Sequence, residues 1–178
     1  MSDDADRDPD PDIVALLESA DSSPDGTTGG TYTLLVEVPR DVTVAVGALG
    51  ELSVPAGGYA YTGSALASGG FARVDRHRRV AAGDHDVRHW HVDYLLGHPT
   101  TELVGVEVVG GADVECQVAR SLPSGPYEGF GASDCDCHSH LAARGSVAGV
   151  ARSCRRVYAE AGVGDRAWSV EGRLPTAD

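Results

Sequence analysis

The hydrophobic positions of this chain alternate with polar ones in several short stretches, which is the pattern of half-buried β-strands. Valines occupy every second position from 42 to 46, and Leu52 and Val54 resume the alternation after a glycine-containing turn, so this segment predicts a hairpin. Further strands are predicted at residues 31–38, 57–63, 102–109 and 167–170. In the second of these, Tyr59 and Tyr61 point to the same face.

Other stretches are typical of helices, with apolar residues three or four positions apart. Helices are predicted at residues 71–80, 87–96, 113–122 and 146–161. Asp113 is expected to cap the third of them, and Asp10 to cap a short helix near the start of the chain. Residues 123–140 predict a long irregular stretch.

These elements predict an α+β fold, in which helices flank a small antiparallel β-sheet and a β-hairpin is inserted. The length of 178 residues favours one domain with appendages. We expect an acidic N-terminal appendage and linker at residues 1–29, a core domain at 30–141, and a C-terminal helix and tail at 142–178.

The charge of the chain changes the environment that we expect for it. The 27 acidic side chains outnumber the 14 basic ones, all of them Arg, and give a net charge of −13. Such a chain repels itself in dilute buffer, whereas molar salt shortens the Debye length to about 3 Å. We therefore expect a halophilic protein, and in molar salt this charge does not exclude DNA as a partner, provided that the contacts are short-ranged.

The composition also bears on the compartment. We find no apolar run long enough for a membrane span, and the acidic start does not resemble a secretory signal. Four cysteines are too few for a disulfide scaffold. These features predict a cytoplasmic protein with reduced thiols and no membrane partner.

Residues 71–91 form a basic island, with five Arg against three Asp in an otherwise acidic chain. Arginine offers a permanently charged, two-pronged donor that suits phosphate. The island therefore predicts a phosphate-binding surface. The alternative is a solvated helix face whose arginines pair with nearby aspartates.

The spacing within the island indicates a chemistry. Arg73 and His77 are four residues apart and share one face of a helix, whereas Arg76 and Arg79 lie on a neighbouring face where backbone phosphates could be held. Beside a strand that presents Tyr61, this arrangement suits phosphodiester hydrolysis. Arginine neutralises charge on the phosphoryl oxygens, and a histidine or tyrosine handles the proton.

Several blocks of the sequence resemble a known family. Gly30-Thr31-Tyr32 and Tyr61-Thr62-Gly63 resemble the two halves of the GIY-YIG nuclease motif. Together with the first triplet, the blocks PAGGYAYTGSA at 55–65, HWHVDYL at 89–95 and GFGASDC at 129–135 resemble the archaeal Uri branch of predicted GIY-YIG endonucleases. The resemblance covers residues 30–141 and implies a GIY-YIG-like nuclease domain there.

The resemblance implies a DNA endonuclease that uses one divalent metal ion, Mg²⁺ or Mn²⁺. The implied catalytic residues are Tyr32, Tyr61, Arg73, His77 and His91, and the implied metal ligand is Glu115. The residues that we predict to bind substrate are Gly63, Ser64, Arg76 and Arg79. Tyr61 would act as the base and Tyr32 would orient the water. His89 is the alternative to His91. The family context also implies a role in repair or recombination, with a repair protein as the partner that supplies specificity.

The chain departs from the family pattern in two respects. Threonine replaces isoleucine at the centre of both triplets, and the two tyrosines lie 29 positions apart, which is a longer gap than is usual. The predicted hairpin fills that gap. A hairpin that loops out would leave the two motif strands adjacent, whereas one that intrudes would prevent assembly of the site.

Each candidate residue also has a purely structural interpretation. The two tyrosines could be ordinary half-buried strand residues, and Glu115 could be a first-turn carboxylate that the helix dipole stabilises. Asp93, four residues after His89, could orient that histidine. Trp90 is expected in the core.

The irregular stretch carries a second candidate site. Cys135, Cys137 and His140 fall within six residues, and together with Cys116 they could form a tetrahedral zinc site. The loop could instead pack on the catalytic face through structural hydrogen bonds, or lie at the edge of the substrate. Cys154 is expected to be an unrelated buried thiol.

Three functions therefore compete. The first is a metal-dependent endonuclease that hydrolyses phosphodiester bonds in DNA and is structure-specific. The second is a non-cleaving nucleic-acid-binding module on a nuclease-like fold. The third is a zinc-stabilised interaction protein.

Overall fold

The computed structural model describes residues 27–171, so the predicted helix near Asp10 lies outside the described residues. The strands are β1 (Gly30–Val38), β2 (Val42–Ala45), β3 (Glu51–Val54), β4 (Gly57–Ser64), β5 (Glu102–Gly110), β6 (Leu141–Arg144) and β7 (Ala167–Glu171). The helices are α1 (Ala72–Ala82), α2 (His91–Leu96), α3 (Glu115–Ser121) and α4 (Val147–Glu160). Among these residues, no helix is both long enough and apolar enough to cross a membrane.

Five of the strands form one antiparallel sheet in the order β6-β4-β1-β5-β7, which confirms the predicted α+β class. The central strand β1 pairs with β4, so that Tyr32 lies opposite Gly63 and Leu34 lies opposite Tyr61. The two motif triplets are therefore neighbours at one end of the sheet.

The inserted hairpin is also confirmed. Strands β2 and β3 pair only with each other, and Val42, Val44 and Val54 are buried in the core beside β1 and β4. The hairpin loops out of the main sheet and packs on one of its faces. This arrangement leaves β1 and β4 in direct contact despite the long gap between the two tyrosines.

The sheet has a hydrophobic core on each face. Helices α1 and α2, the hairpin and Phe130 cover the face that carries Tyr32 and Tyr61, whereas α3 and α4 contribute to the opposite core. The central threonines of the two triplets are fully buried. Thr31 Oγ1 donates to the carbonyl of Ala112, and Thr62 Oγ1 lies 3.1 Å from Thr33 Oγ1. Because each hydroxyl is paired, threonine replaces isoleucine here without an unsatisfied polar group.

Two helices begin more than one residue later than predicted. Helix α2 begins at His91 rather than near residue 87, because the Asp93 carboxylate accepts the backbone N–H groups of His89 and Trp90 and fixes the start of the helix there. The predicted cap at Asp113 is wrong, since that side chain is exposed and α3 begins at Glu115. The Val114 N–H instead donates to Thr31 Oγ1.

The sequence analysis missed strand β6, which pairs with the outer edge of β4. The expected boundary after residue 141 falls at the start of this strand. Helix α4, which begins after Ser146, packs on the same sheet through Val150, Cys154 and other buried residues. The last helix and the sheet therefore share one core.

Candidate functional site

A cavity of about 210 Å³ opens at the end of the sheet where the two motif triplets meet. It is lined by Tyr32, Tyr61, Gly63, Ser64, Arg73, His89, Trp90, His91, Glu115, Gly131, Ser133 and Asp134. The fold thus brings most of the predicted site residues to one place. Within residues 27–171, three of them fall outside the lining, namely His77, Arg76 and Arg79.

Each motif tyrosine packs against a glycine that leaves room for its ring. A Cβ atom at Gly63 would lie 2.5 Å from both Cζ and Oη of Tyr32. A Cβ atom at Gly131 would lie 2.7 Å from Cε2 of Tyr61, and the φ angle of +71° also favours glycine. Gly63, predicted to bind substrate, therefore has a packing role. Gly131 lies in the GFGASDC block, but its role was missed because the contact with Tyr61 comes from a distant strand.

Tyr32, His77 and Asp93 form a chain of hydrogen bonds behind the cavity wall. The Tyr32 hydroxyl lies 2.9 Å from His77 Nε2, and His77 Nδ1 lies 3.0 Å from Asp93 Oδ1. The ionised Asp93 can only accept, so Nδ1 carries the hydrogen. Burial chiefly lowers the pKa of His77 below its usual 6.5, which keeps the ring neutral at pH 7. Nε2 is then an acceptor, and Tyr32 donates to it.

Asp93 is the centre of this network, a role that sequence reasoning missed. Burial alone would raise its pKa, but hydrogen bonds from His77, Trp90 N–H and His89 N–H outweigh burial and hold the pKa well below the usual range. Arg76 adds an ion pair at 2.9 Å. Asp93 thus orients His77 rather than the His89 ring. The available signal was that Asp93 is the third residue of the helix, because a carboxylate at this position often accepts hydrogen bonds from free N–H groups at the helix start.

Two arginines of α1 stack on Trp90 but serve different purposes. The guanidinium carbons of Arg73 and Arg76 lie 4.8 and 4.5 Å from the centre of the Trp90 ring. Arg73 lines the cavity and donates to the carbonyl of Ser64, whereas Arg76 is engaged by Asp93 and by the carbonyl of Val87. Trp90, expected in the core, is only half-buried.

The remaining basic side chains of the predicted site differ in how firmly they are held. His91 Nδ1 accepts the N–H of Gly131 at 2.9 Å, so the imidazole has a fixed orientation and its other nitrogen carries the proton. His89 also lines the cavity but is exposed. Arg79 is exposed near the end of α1. These positions favour His91 over His89 as an oriented group of the site.

The hydroxyl groups of Tyr32 and Tyr61 are protonated in the folded protein. Burial raises the pKa of both hydroxyls well above the usual 10, and the carboxylates of Glu115 and Asp93 add to the effect. The Arg73 guanidinium acts in the opposite direction on both. A tyrosine here acts as a base only if its own proton has an acceptor or if further positive charge is brought close.

Glu115 places a carboxylate in the cavity at the first position of α3. Its side chain is about one quarter exposed, and Oε1 lies 3.1 Å from His140 Nδ1. Asp134, exposed, is a second carboxylate in the cavity lining. The two side chains supply oxygen ligands of the kind that Mg²⁺ and Mn²⁺ prefer.

A second cluster lies directly behind Glu115. Cys116, Cys135, Cys137 and His140 present ligand atoms that all lie within 4.8 Å of one another, and the three thiols are free. The four residues could hold a metal ion, as the spacing in the sequence predicted. Cys154 lies apart from them, on the buried face of α4.

The donor atoms of this cluster suit a soft, tetrahedral ion. Zn–S bonds of about 2.3 Å place two sulfur atoms about 3.8 Å apart, so small side-chain movements would close the cluster around an ion. Hydrogen bonds with Cys116 and His140 outweigh burial and lower the pKa of Cys137, which favours its thiolate. Burial opposes protonation of His140, but hydrogen bonds with Glu115 and Cys137 raise its pKa to about 9. A metal ion bound at Nε2 would take the place of that proton.

Comparison with known proteins identifies the family of the chain. A family model described as "Domain of unknown function DUF123" matches residues 31–163. No curated protein and no solved structure matches the chain. The matched span runs from β1 past the end of α4 and includes every residue of the cavity and of the thiol cluster. The chain therefore belongs to the DUF123 family.

Proposed function

We propose that this protein is a GIY-YIG-type endonuclease that hydrolyses phosphodiester bonds in DNA with a divalent metal ion. The observation that carries the proposal is the single cavity in which Tyr32, Tyr61, Arg73 and Glu115 meet. The matched family is the Uri-like family related to GIY-YIG nucleases, the branch that the motif blocks resemble. Superfamily membership, activity and substrate are all parts of the proposal.

Glu115 is the proposed ligand of Mg²⁺ or Mn²⁺, with Asp134 as the second carboxylate of the cavity. This donor set fits, because such ions bind through one or two carboxylates and substrate phosphate and keep several of their waters. When bound, the ion supplies Lewis-acid polarisation of the phosphate and a lower pKa for its water.

The hydrogen-bond chain favours Tyr32 as the general base. As Tyr32 takes a proton from the attacking water, its own proton passes to His77 Nε2, to which it is already directed at 2.9 Å. Asp93 stabilises the imidazolium that forms and holds the ring in place. This proposal exchanges the roles implied by the sequence, since Tyr61 now orients the water.

Arg73 is the proposed stabiliser of the phosphoryl oxygens. Its guanidinium is held by the Ser64 carbonyl at 2.7 Å and by the Trp90 ring, so it faces the cavity in a defined orientation. Preorganised positive charge of this kind is worth about 100- to 1000-fold in rate when a single donor is removed. Arg76, which Asp93 neutralises, is instead proposed to support the site from behind.

The proposed substrate is DNA of a particular shape rather than sequence, in repair or recombination. A chain of net charge −13 gains little from long-range attraction, so short-range contacts in molar salt must hold the backbone. The exposed Arg79 is a candidate for such a contact. A partner protein that supplies specificity is part of the same proposal.

Zinc is the proposed ion of the cluster of three cysteines and His140. Three thiolates with one imidazole form a common set of structural zinc ligands, and soft sulfur atoms favour Zn²⁺ over Mg²⁺. Metal analysis of protein purified without chelator should give one zinc per chain after gel filtration. Zinc-free protein that is folded would contradict this assignment.

The function is tested by a cleavage assay in about 2 M KCl, where surface charge is well screened. The panel contains linear, nicked, flapped and four-way DNA, each with Mg²⁺, Mn²⁺ or chelator. We expect metal-dependent cutting of a branched substrate and a loss of about 100- to 1000-fold in Arg73→Ala. Arg152→Ala, an exposed change on α4, is the matched control and should cut normally.

The same assay separates the competing functions. Band shifts on branched DNA without any cutting would contradict the nuclease and favour the non-cleaving binding module. Neither cutting nor binding, in protein that retains zinc, would favour the zinc-stabilised interaction protein.

A further inference from the structure

His140 links the thiol cluster to the cavity through opposite sides of one ring. Its Nε2 lies 3.3 Å from Cys135 Sγ, whereas its Nδ1 lies 3.1 Å from Glu115 Oε1 and 3.0 Å from the carbonyl oxygen of Thr62. The side chain is buried, with 1% of its surface exposed. The ring is therefore a bridge between two sites rather than a member of only one.

The hydrogen-bond partners fix which nitrogen can bind a metal. Glu115 Oε1 and Thr62 O are both acceptors, so Nδ1 carries the hydrogen that faces them. Nε2 is then the nitrogen that can offer a lone pair, and it is the one that faces the thiols. A histidine that binds metal through one nitrogen and donates from the other to a carboxylate is a recurrent arrangement at zinc sites.

The backbone around His140 ties the ring to the strand that carries Tyr61. The His140 N–H donates to the Phe130 carbonyl, and the His140 carbonyl accepts the N–H of Thr62. Ligands in the loop and in α3 therefore converge on the end of β4. Cys116, the residue after Glu115, gives α3 a second attachment to the same cluster.

We propose that His140 is a positioning residue: bound to zinc through Nε2, it holds the Glu115 carboxylate at the cavity through Nδ1. The inference rests on the proposed function, in which Glu115 binds the divalent metal ion. The zinc centre is thereby part of the machinery that prepares the nuclease site and not only a brace for the loop.

His140→Cys tests this role while preserving a set of zinc ligands. Four thiolates bind zinc well, but cysteine cannot donate to Glu115. We expect Mn²⁺, titrated by electron paramagnetic resonance in about 2 M KCl, to bind about 10- to 100-fold more weakly than in wild type. Unchanged Mn²⁺ affinity would overturn the proposal, whether the variant keeps its zinc or loses it.

Glu115→Gln tests the same contact from the other end and needs neither Mn²⁺ nor DNA. Coupling between two sites is reciprocal, so loss of the carboxylate should let a chelator remove zinc at about 10- to 100-fold lower concentration. Asp136→Asn is the matched control, because this exposed carboxylate lies between two of the cysteines. We expect its zinc retention to match wild type.

The outcomes keep the two proposals apart. If Glu115→Gln holds zinc as firmly as wild type does, the role of His140 is contradicted even when wild type cuts DNA. If zinc retention falls in Glu115→Gln but wild type neither binds Mn²⁺ nor cuts DNA, the contact stands and the nuclease function fails, and with it the role of His140 in catalysis.

Discussion

At the scale of single residues, the proposed mechanism depends on the direction of one hydrogen bond. Tyr32 donates to His77 because Asp93 occupies the other side of the imidazole. Burial leaves Tyr32 protonated and His77 neutral, and this is the pair of states that a proton relay requires before reaction. In the proposed mechanism, this relay, rather than an isolated low-pKa tyrosine, makes a base available in the cavity.

Tyr32→Phe should therefore remove the base without removing the ring. We expect cleavage to fall by about 100-fold or more, with a loss of about 1 kcal/mol in unfolding free energy for the hydrogen bond. Tyr59→Phe is the matched control, since its hydroxyl donates to the Pro55 carbonyl, away from the cavity. Equal cleavage by Tyr32→Phe and wild type would show that Tyr32 is an ordinary strand tyrosine.

The buried His77 also predicts how stability depends on pH. An unfolded histidine titrates near pH 6.5, whereas the folded pKa is lower, so the unfolded chain takes up the proton first. Stability from this group is complete above about pH 6.5 and falls as the pH decreases below it. Thermal unfolding midpoints from pH 7.5 to 5.5 should fall less steeply in His77→Asn than in wild type.

The control is His89→Gln, which removes an exposed histidine and leaves the buried pair of His77 and Asp93 in place, so its slope should remain steeper than that of His77→Asn. A slope that is unchanged in His77→Asn would contradict a buried, neutral His77.

At the scale of elements, β1, the hairpin, β4 and β5 were all predicted. Alternation identified the hairpin, whereas β1 and β5, buried along almost their whole length, were identified by composition. Neither signal showed where α2 begins, because hydrogen bonds set that boundary: Asp93 accepts the N–H of His89 within the segment, and Arg76 of α1 donates to the Val87 carbonyl. Strand β6 was not predicted because its buried residues include Ala142, and alanine has a low propensity for β-strands. The hydrogen bond between His77 and Asp93 was not predicted because it links two separate helices, and periodicity does not reveal such contacts.

The same pairing of strands explains the glycine of the second triplet. In Gly63→Ala, the new methyl group would occupy the space of the Tyr32 ring in the neighbouring strand. We expect a loss of about 1–3 kcal/mol in unfolding free energy and a large loss of cleavage, because the ring must move.

Gly145→Ala is the matched control for that change. A Cβ atom there meets nothing within 4 Å, so chemical denaturation should give nearly wild-type stability. Two variants of equal stability would mean that Tyr32 and Gly63 are not packed as described.

At the scale of the whole molecule, the chain is strongly acidic, whereas the proposed site has to bind a negatively charged phosphate. The net charge of −13 comes only from Asp, Glu and Arg side chains. The cavity is nevertheless lined by Arg73, one of the arginines of α1. Screening by salt would allow the acidic surface and the proposed phosphate-binding cavity to coexist in one small domain.

The unfolding midpoint should therefore rise steadily as KCl increases from about 0.1 to 2 M, because the Debye length shortens and repulsion weakens. Thermal unfolding followed by circular dichroism measures this directly. A flat profile would refute adaptation to high salt.

The most direct test of the nuclease proposal is single-turnover cleavage by wild type and Glu115→Gln with Mn²⁺ in about 2 M KCl. We predict that Glu115→Gln cuts about 100-fold or more slowly, because the metal supplies several kcal/mol of charge stabilisation, while it still binds the DNA. Zinc content measured on the same samples ensures that the comparison is made between zinc-loaded proteins. Cleavage by Glu115→Gln at the wild-type rate, or wild-type cleavage that persists in chelator, would contradict the metal-dependent site described above.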